Sequence, residues 1–237
     1  MEPLDLLNHP EITRCPMQEL KLDMPTLPTQ SRELLEMTRA YIIKNDDCNE
    51  VIYAKNFHVP GDLKLKRYAK PDSWKSISAL YIDGDLTIEG DLLNDGDHSF
   101  PILIVKGDLI LRSWLRGGIL AYIGGSIRAS GVLVGEYNDG GLFVGGDLIA
   151  EGGFIHCREP YPDMPDIQPH QIRGDIRAKS FDATIPDINN ELLQKTFAPK
   201  VLDVFFENGG LWYDSGKVIK RAAEGLSIWR EPEQIQS

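Results

Sequence analysis

The sequence predicts a mainly β protein, built as a parallel β-solenoid (β-helix) of about five to six coils with α-helical caps at its N- and C-terminal ends. Two observations predict it. A short pattern, apolar-x-apolar-x-Gly-Asp/Ser-Leu/Ile, recurs roughly every 20 residues between Leu80 and Phe154, and the apolar residues around each Gly alternate with a period of two. Repeats of this length cannot bury an apolar face alone, so consecutive copies have to stack.

The Gly-Asp/Ser-Leu/Ile triplet marks each copy. It begins at Gly84, Gly107, Gly125 and Gly146, with weaker copies at Gly61 and Gly174. Counted from that Gly, positions −4, −2, +2, +4 and +8 are the apolar ones, which places Leu92 and Leu115 inward at +8 in two successive copies. Period-two alternation is typical of strands with one buried face, and a Gly of inward parity indicates a bend between two short strands. The alternative is an antiparallel β-sandwich, which would need tight hairpins between the strands.

The flanking segments lack the repeat and are expected to close the solenoid as parts of a single structural domain. Residues 1–50 form an irregular arm and an N-terminal capping helix, 51–181 form the solenoid, and 182–237 form a helical C-terminal cap. The N-terminal helix is expected to begin at Ser31, whose hydroxyl can cap it. Its apolar face would consist of Leu34, Leu35, Thr38, Tyr41 and Ile42. Such caps matter because the last coil of a solenoid exposes an apolar end and an unpaired strand edge.

The composition narrows the function classes. A formal net charge of −11 argues against nucleic acid or an anionic membrane surface as a partner, because both favour Lys and Arg. It fits a basic protein partner. Three scattered cysteines, no recognisable leader and no apolar run long enough to cross a bilayer predict a cytoplasmic protein without a disulfide framework.

Acidic residues and two loops are the predicted binding features. Six acids fall within 83–97 without one Lys or Arg, which predicts an acidic docking face, and two loops at 135–141 and 155–171 interrupt the repeat. Insertions on one side of a repeat array often form its binding face. The candidate partner-binding residues are Asp83, Asp85, Glu89, Asp91, Asp95, Asp97, Glu136, Tyr137, Asp139 and Tyr161.

Catalytic, cofactor and metal sites are not expected. The column of triplet carboxylates includes Asp62, Asp85 and Asp108 but has Ser126 in the fourth copy, which favours acceptors for backbone N–H groups in Asx-type turns over metal ligands. Residues 91–97 are rich in oxygen ligands, which leaves calcium open as the alternative, but they lack the order of a calcium loop. His156 and Cys157 are the only neighbouring pair that could suggest a base and a nucleophile, and no oxyanion site accompanies them. We therefore expect no enzyme activity and no cofactor.

The repeats resemble two groups of proteins. The recurring apolar-x-Gly-Asp-Leu strands, over about residues 57–180, resemble the bactofilins, polymer-forming bacterial β-helices. The stretches GDLTIEGDLL, GDLILRSWLRGG and VGEYNDGGLFVGGDLIAEG are similar to bacterial β-solenoid proteins found beside secreted polymorphic toxins. The second resemblance implies an immunity protein that binds and neutralises a basic toxin domain. The first implies the alternative, a scaffold that self-assembles. Helical ends would favour a monomer or dimer over a filament.

Overall fold

A computed structural model describes residues 6, 9–44, 50–65, 77–94, 102–117, 119–135, 141–158, 170–184, 188–204 and 210–231. The protein is mainly β with parallel sheets. Its helices are α1 Thr29–Lys44, α2 Asn190–Thr196 and α3 Ser215–Ala223. Its strands are β1 Thr13–Pro16, β2 Glu50–Ala54, β3 Phe57–Val59, β4 Leu63–Leu65, β5 Ile77–Ile82, β6 Leu86–Ile88, β7 Asp91–Asn94, β8 Ile102–Val105, β9 Leu109–Leu111, β10 Ser113–Leu115, β11 Ala121–Ile123, β12 Ile127–Ala129, β13 Val132–Gly135, β14 Leu142–Val144, β15 Leu148–Arg158, β16 His170–Ile172, β17 Ile176–Thr184, β18 Leu202–Val204 and β19 Leu211–Tyr213.

The repeat region folds into two sheets in which every third strand becomes a neighbour. The seven-stranded sheet has the order β1-β2-β5-β8-β11-β14-β16. The ten-stranded sheet runs β3-β6-β9-β12-β15-β13-β10-β7-β4, with β17 also paired to β15. Apart from β1, which is antiparallel to β2, the neighbours in both sheets pair parallel. Parallel pairing is the opposite of what the antiparallel sandwich requires.

The strands of these two sheets form three stacks of parallel strands. The first stack is β2, β5, β8, β11, β14 and β16, and the second is β3, β6, β9, β12 and the start of β15 and β17. The third is β4, β7, β10, β13 and the remainder of β15 and β17. One strand segment from each stack makes a rung, so the six rungs span 50–65, 77–94, 102–115, 121–135, 142–158 and 170–184. The first corner joins the first and second stacks, and the second corner joins the second and third.

The rungs enclose a continuous apolar core. Inward residues of all three stacks belong to one buried cluster, for example Leu80, Leu103, Leu109 and Leu133. The prediction for Leu115 is wrong, because Trp114 pairs with Leu92 and takes the inward position. Rung 3 has one residue fewer at the second corner than rung 2, and a shift of one residue reverses the face to which a side chain points.

The weak triplet at Gly61 is displaced by one corner from the position that the repeat predicted. Phe57 pairs with Leu86 and Leu63 pairs with Leu92, so Gly61 is the counterpart of Gly90 at the second corner. Asn56 therefore takes the Asp position of the first corner in rung 1.

The N-terminal segment covers the outer face of the first stack. The outward side chains of that stack are apolar and buried, and they form a second cluster with the segment from Met17 to Ile42: Tyr81, Ile104, Tyr122 and Phe143. The expected capping helix, α1, thus packs along the flank of the stack because these side chains need cover. α1 begins two residues before Ser31, which is buried, and Tyr41 is 71% exposed, so neither has its predicted role.

At the start of the stack, other residues cover rung 1. β1 pairs along β2, Leu6 belongs to the main core, and His9 packs edge-on against Phe57 at 5.0 Å between ring centroids. The arm, expected to be irregular, therefore contains a strand that closes the edge of the first sheet.

The C-terminal segment packs on the outer face of the third stack. Outward residues such as Val134 and Ile155 join a third buried cluster with Phe197, Tyr213 and Trp229. The Nε1–H of Trp229 donates to the carbonyl of Gly152 at 2.9 Å, which attaches the segment to rung 5. The segment was expected to be helical, but α2 and α3 are separated by the antiparallel pair β18–β19.

Candidate protein-binding surface

The four described acids of the predicted docking face lie at two different corners. Asp83 and Asp85 are at the first corner, before β6, whereas Glu89 and Asp91 follow β6 at the second corner. The other candidates, at 95, 97, 136, 137, 139 and 161, lie outside the described residues. The four described acids therefore do not form one patch.

Asp91 is a buried structural residue. Its side chain is only 6% exposed, and both carboxylate oxygens accept hydrogen bonds from Arg112, at 2.8 Å from Nε and 2.7 Å from Nη2. Hydrogen bonding and charge from Asp91 raise the pKa of Arg112 further above its usual range. The prediction that Asp91 is exposed to a partner is wrong. Its carboxylate is buried against Arg112, which belongs to the next rung.

Asp83 is also engaged within the protein. Lys106 of the next rung pairs with its Oδ1 at 3.0 Å, and the hydroxyl of Tyr53 donates to its Oδ2 at 3.4 Å. The hydroxyl of Tyr81 lies 3.5 Å from Oδ1 and donates to the carbonyl of Lys21 at 3.0 Å. Burial, followed by the charge of Asp83, raises the pKa of Tyr81 well above its usual value of 10. Of the four described acids, Asp85 and Glu89 are exposed, and Oε1 of Glu89 lies 3.1 Å from Nε2 of His58.

The column of triplet acids forms a ladder between rungs. The backbone N–H of Asp108 donates to Oδ1 of Asp85 at 2.8 Å, and the N–H of Ser126 donates to Oδ1 of Asp108 at 2.7 Å. The same contact repeats from Asn56 to Asp175. The expected role as acceptors of backbone N–H is therefore observed, but the donor lies in the next rung and not in the same turn. The partners are Asn56–Asp85, Asp85–Asp108, Asp108–Ser126, Ser126–Asp147 and Asp147–Asp175.

The triplet Gly makes room for this ladder. A Cβ on Gly125 would lie 2.2 Å from Oδ1 of Asp108, and one on Gly107 would lie 2.0 Å from Oδ1 of Asp85. Real Cβ atoms do not approach oxygen so closely. A rung therefore needs Gly at this position wherever the rung before it carries an acceptor side chain. At Gly84 a φ of +154° adds a second reason for the absence of a side chain.

The outer face of the second stack is the sheet surface that the described flanking segments leave open. Outward residues of the first and third stacks, such as Tyr122 and Val134, are buried beneath those segments. The outward residues of the second stack remain exposed or half-buried, and Ile110 is 40% exposed. We name this the open face, made by one residue per rung: His58, Thr87, Ile110, Arg128, Ile149 and Arg177.

The open face combines apolar and charged side chains. It contains a shallow groove of about 390 Å³ along Thr87, Ile110, Arg128 and Ile149. Asp85 and Asp108 line the first-corner side, and Glu89 and Glu151 lie on the second-corner side. No hydrogen bond or ion pair is formed by the side chains of Arg128 and Glu151 with the described residues, so both are available to a ligand. Sequence reasoning missed this face, although Thr87, Ile110, Arg128 and Ile149 share one outward parity in the four copies.

A buried polar group occupies the far end of the third stack. His156 and His170 lie with ring centroids 4.6 Å apart. The buried Arg116, whose Nη1 donates to the carbonyl of Ile119, is near His156, since a Cβ on Gly135 would lie 2.9 Å from both Nη2 of Arg116 and Nδ1 of His156. The inward parity of His156, two residues after Phe154, could have indicated its burial. Residues 159–169 separate His156 from His170 in the sequence, so their spacing does not indicate this contact. Across the part of the chain that the structure describes, no cluster of three or more His, Cys, Asp or Glu side chains could hold a metal ion.

No family model, curated protein or solved structure matches this chain. Among the helices that the structure describes, none has the length and apolar character needed to cross a membrane.

Proposed function

We propose that the protein is a non-enzymatic protein-binding module, a six-coil β-solenoid whose first and third sides are covered by its own termini and whose second side meets a partner. The open face carries this proposal. Both other stacks bury their outward side chains under the chain's own segments, while no described segment covers Ile110, Arg128 and Ile149. The repeat pattern, parallel pairing and register of the six rungs support the solenoid description.

The shape of the open face favours a macromolecule over a small molecule. Six strands at about 4.8 Å, each three residues wide at about 3.3 Å per residue, make a surface roughly 24 Å long and 10 Å wide. It would form the centre of an interface that extends over the side chains at both corners, since a standard interface buries about 800 Å² per partner. Small-molecule sites are usually concave and bury most of their ligand, whereas this groove is shallow. Isolated apolar side chains surrounded by charged ones are typical of a protein interface with a polar rim.

A basic partner fits the charges. The chain has a net charge of −11, and Asp85 and Glu89 are exposed at opposite borders of the open face. Such complementarity speeds encounter and selects among partners. Together with the resemblance to β-solenoid proteins beside secreted toxins, it supports the finer proposal of an immunity protein that neutralises a basic toxin domain in the cytoplasm.

The experiment compares capture by the wild-type chain with capture by matched surface variants. Immobilised protein is exposed to extract of its own cells, and retained proteins are identified by mass spectrometry. Glu151→Lys reverses an acidic charge of the open face at a side chain that forms no hydrogen bond or ion pair within the described chain. Asp85→Asn removes a charge but keeps an oxygen for the ladder. Lys220→Glu on α3 is the control.

The proposal requires a basic protein that binds wild type and the Lys220→Glu control but is lost with the open-face variants, with Kd values that weaken at least tenfold in calorimetry. A partner that binds all open-face variants like wild type would place the interface elsewhere and overturn the assignment.

A self-assembling scaffold is the second candidate. Rung 6 favours it, because the outer edges of β16 and β17 carry no further strand among the described residues. The cover on rung 1 opposes growth of a filament, since a second copy would have to displace β1 and Leu6. Open-ended particles by light scattering would support the scaffold, and a discrete mass would reject it.

A further inference from the structure

A helix of this chain shows how the outer face of a strand stack can be covered. α1 runs along the first stack, where its Ser31 donates to Oε1 of Gln171 in rung 6 at 2.6 Å. Seven residues later, the hydroxyl of Thr38 lies 3.4 Å from that of Tyr122 in rung 4. Seven helical residues rise about 10.5 Å, close to the ~9.6 Å between a rung and the next but one. α1 therefore presents one face to every second rung.

The buried apolar residues of α1 follow the same spacing. Leu35 and Ile42 are seven residues apart, and both belong to the cluster that α1 forms with the outward side chains of the first stack. A helix that lies along the stack axis thus uses apolar residues at i and i+7. The chain itself provides the geometry for helix packing across these rungs.

The open face repeats this spacing with fewer apolar residues. Ile110 in rung 3 and Ile149 in rung 5 lie two rungs apart, with Arg128 of rung 4 between them, along the shallow groove of about 390 Å³. The face is about 10 Å wide and 24 Å long, which is the diameter of one helix and the length of about 16 helical residues. An extended strand fits less well, since its side chains on one face recur about every 6.6 Å and do not match the rungs.

Acidic side chains border this face without counterions from the described chain. Asp85 and Asp108 line the first-corner side in rungs 2 and 3, where Oδ1 of each accepts a ladder N–H. Neither carboxylate, nor that of Glu151 on the second-corner side, forms an ion pair with a described residue. In contrast, Asp147 of rung 5 pairs with Arg177 at 3.3 Å. Cationic side chains of an occupant are therefore favoured on both flanks.

We propose that the open face binds an amphipathic α-helix of the basic partner, which lies along the stack as α1 lies along the first stack. This inference rests on the proposed function, since it names the element with which the basic partner would occupy the open face. The helix would place apolar side chains at i and i+7 on Ile110 and Ile149. At i+3 or i+4 it would place a hydrogen-bond acceptor such as Gln opposite Arg128, and it would carry Lys or Arg on both flanks.

A second copy of the open face is a poorer occupant. Because Arg128 lies midway between Ile110 and Ile149, a two-fold contact that uses both isoleucines also sets Arg128 opposite Arg128 of the second copy. Like charges brought together at the centre of an interface oppose association. A helix with an acceptor at that place avoids this repulsion.

A synthetic helix tests the proposal against the full chain. The probe is an amidated peptide of about 16 residues, held helical by a side-chain bridge on its outer face because a helix of this length is marginal in water. It carries two leucines seven residues apart, a glutamine between them and lysines on both flanks. One control peptide moves the leucines to opposite sides of the helix, and another replaces the lysines with glutamates.

Fluorescence anisotropy measures the binding, and methyl NMR of the isoleucines locates it. The δ1-methyl signals of Ile110 and Ile149 should shift together, whereas that of Ile219 in α3 should not. Ile110→Lys should weaken binding by about tenfold or more, because it removes an apolar contact and adds a like charge. Asp85→Asn keeps the ladder acceptor and should weaken binding about two- to fivefold, as expected for one exposed ion pair. Lys220→Glu should bind like wild type.

Three results would overturn the proposal: no binding of the probe up to about 1 mM, equal binding of the control peptides, or methyl shifts away from the open face. A concentration-dependent dimer of the wild-type chain that Ile110→Lys abolishes would assign the face to a second copy and overturn it as well. If capture of a basic protein still depends on Asp85 and Glu151, a probe that fails to bind overturns the helix alone and leaves the proposed function standing. Failure of both experiments would overturn the two together.

Discussion

Asp108 occupies the middle of the ladder, where its Oδ1 accepts the N–H of Ser126 at 2.7 Å while its own N–H donates to Asp85. Neighbouring copies show which groups can do this, because Asn56 supplies an amide oxygen and Ser126 a hydroxyl. The position requires a short side chain with an acceptor oxygen and does not require a charge. This requirement explains why Asn56 and Ser126 can replace Asp at two positions of the ladder.

Two replacements of Asp108 should distinguish the stabilising contribution of its acceptor oxygen from that of its charge. Asp108→Ala leaves the N–H of Ser126 without its partner and should lower the free energy of unfolding by about 1–2 kcal/mol. Asp108→Asn keeps an acceptor and removes repulsion along the column, so it should change stability by no more than about 0.5 kcal/mol. Urea denaturation followed by circular dichroism measures both. Equal losses in the two variants would show that the charge, and not the hydrogen bond, stabilises the corner.

Gly125 should not tolerate a side chain, because the ladder contact beside it leaves no space for a Cβ. In Gly125→Ala the new Cβ meets Oδ1 of Asp108 at 2.2 Å and the backbone of Gly107 at 2.7 Å, and neither can move without breaking a hydrogen bond between rungs. We expect a loss of about 2–3 kcal/mol by urea denaturation. The control is Gly216→Ala in α3, where the nearest atom lies at 3.1 Å and Ala favours the helix. A loss in the control as large as that in Gly125→Ala would contradict this explanation.

The elements outside the repeat act as covers for two of the three strand stacks. α1 follows the outer face of the first stack, and the C-terminal elements follow that of the third. In each case the strands are apolar on both faces, as parallel strands buried on two sides require. The outer face of the second stack is mixed, with Thr87 and Arg128 beside Ile110 and Ile149, and it is left uncovered by the described flanking segments.

The packing of α1 predicts a contrast between two residues on its surface. Leu35 is 2% exposed against the first stack, whereas Met37 is 69% exposed. Leu35→Ala should lower the free energy of unfolding by about 2–4 kcal/mol, and Met37→Ala should change it by less than about 0.5 kcal/mol. Thermal and urea unfolding measure both. Similar losses would place the helix in another orientation.

The C-terminal segment contains an ion pair between β18 and α3 that predicts a pH effect. The hydrogen bond from the ammonium of Lys217 lowers the pKa of Asp203 below its usual 3.8. Because the folded pKa is depressed, the stabilising contribution is present above the unfolded pKa and is lost as the pH falls through the folded value. The effect should be small, since the carboxylate is solvated.

Carbon-detected NMR titration of Asp203 measures that pKa. In Lys217→Ala the titration midpoint should rise toward 3.8, whereas Lys220→Ala on the same helix should leave it unchanged. A midpoint that does not move in Lys217→Ala would remove the ion pair as the cause.

Sequence parity predicted the strands and most inward residues, because period two fixes which side chains share a face. It did not predict Trp114, because the second corner of rung 3 is shorter by one residue, and sequence spacing alone does not show which corner loses it. It also made Asp91 part of an acidic face, since its partner Arg112 lies 21 residues away in the next rung. The open face was missed for a related reason. It is the face that the N- and C-terminal segments leave uncovered, and the repeat sequence does not show where those segments pack.

The N-terminal arm, residues 9–44, links rungs that are otherwise connected only through their neighbours. Thr26 donates to the carbonyl of Gly124 in rung 4, and Ser31 donates to Oε1 of Gln171 in rung 6 at 2.6 Å. Arg173 of rung 6 donates to the carbonyl of Thr26 at 3.1 Å. A stack held only by neighbouring contacts can open from its end, and these contacts between distant parts of the chain oppose such opening.

Removal of the contacts between the arm and rung 6 should therefore release both partners without melting the middle of the stack. In the double variant Gln171→Ala/Arg173→Ala, the amides at the start of α1 and in β16 should exchange with deuterium about five- to thirtyfold faster, as the loss of one or two hydrogen bonds of about 1 kcal/mol implies. Amides of β11 in rung 4 should keep their wild-type rates, because their partners in β8 and β14 are untouched. Lys195→Ala on α2 is the control and should change none of these rates. Uniformly faster exchange in β11 and β16 would mean that the arm stabilises the stack as one cooperative unit, whereas unchanged exchange in α1 would mean that its apolar contacts with the first stack hold it without rung 6.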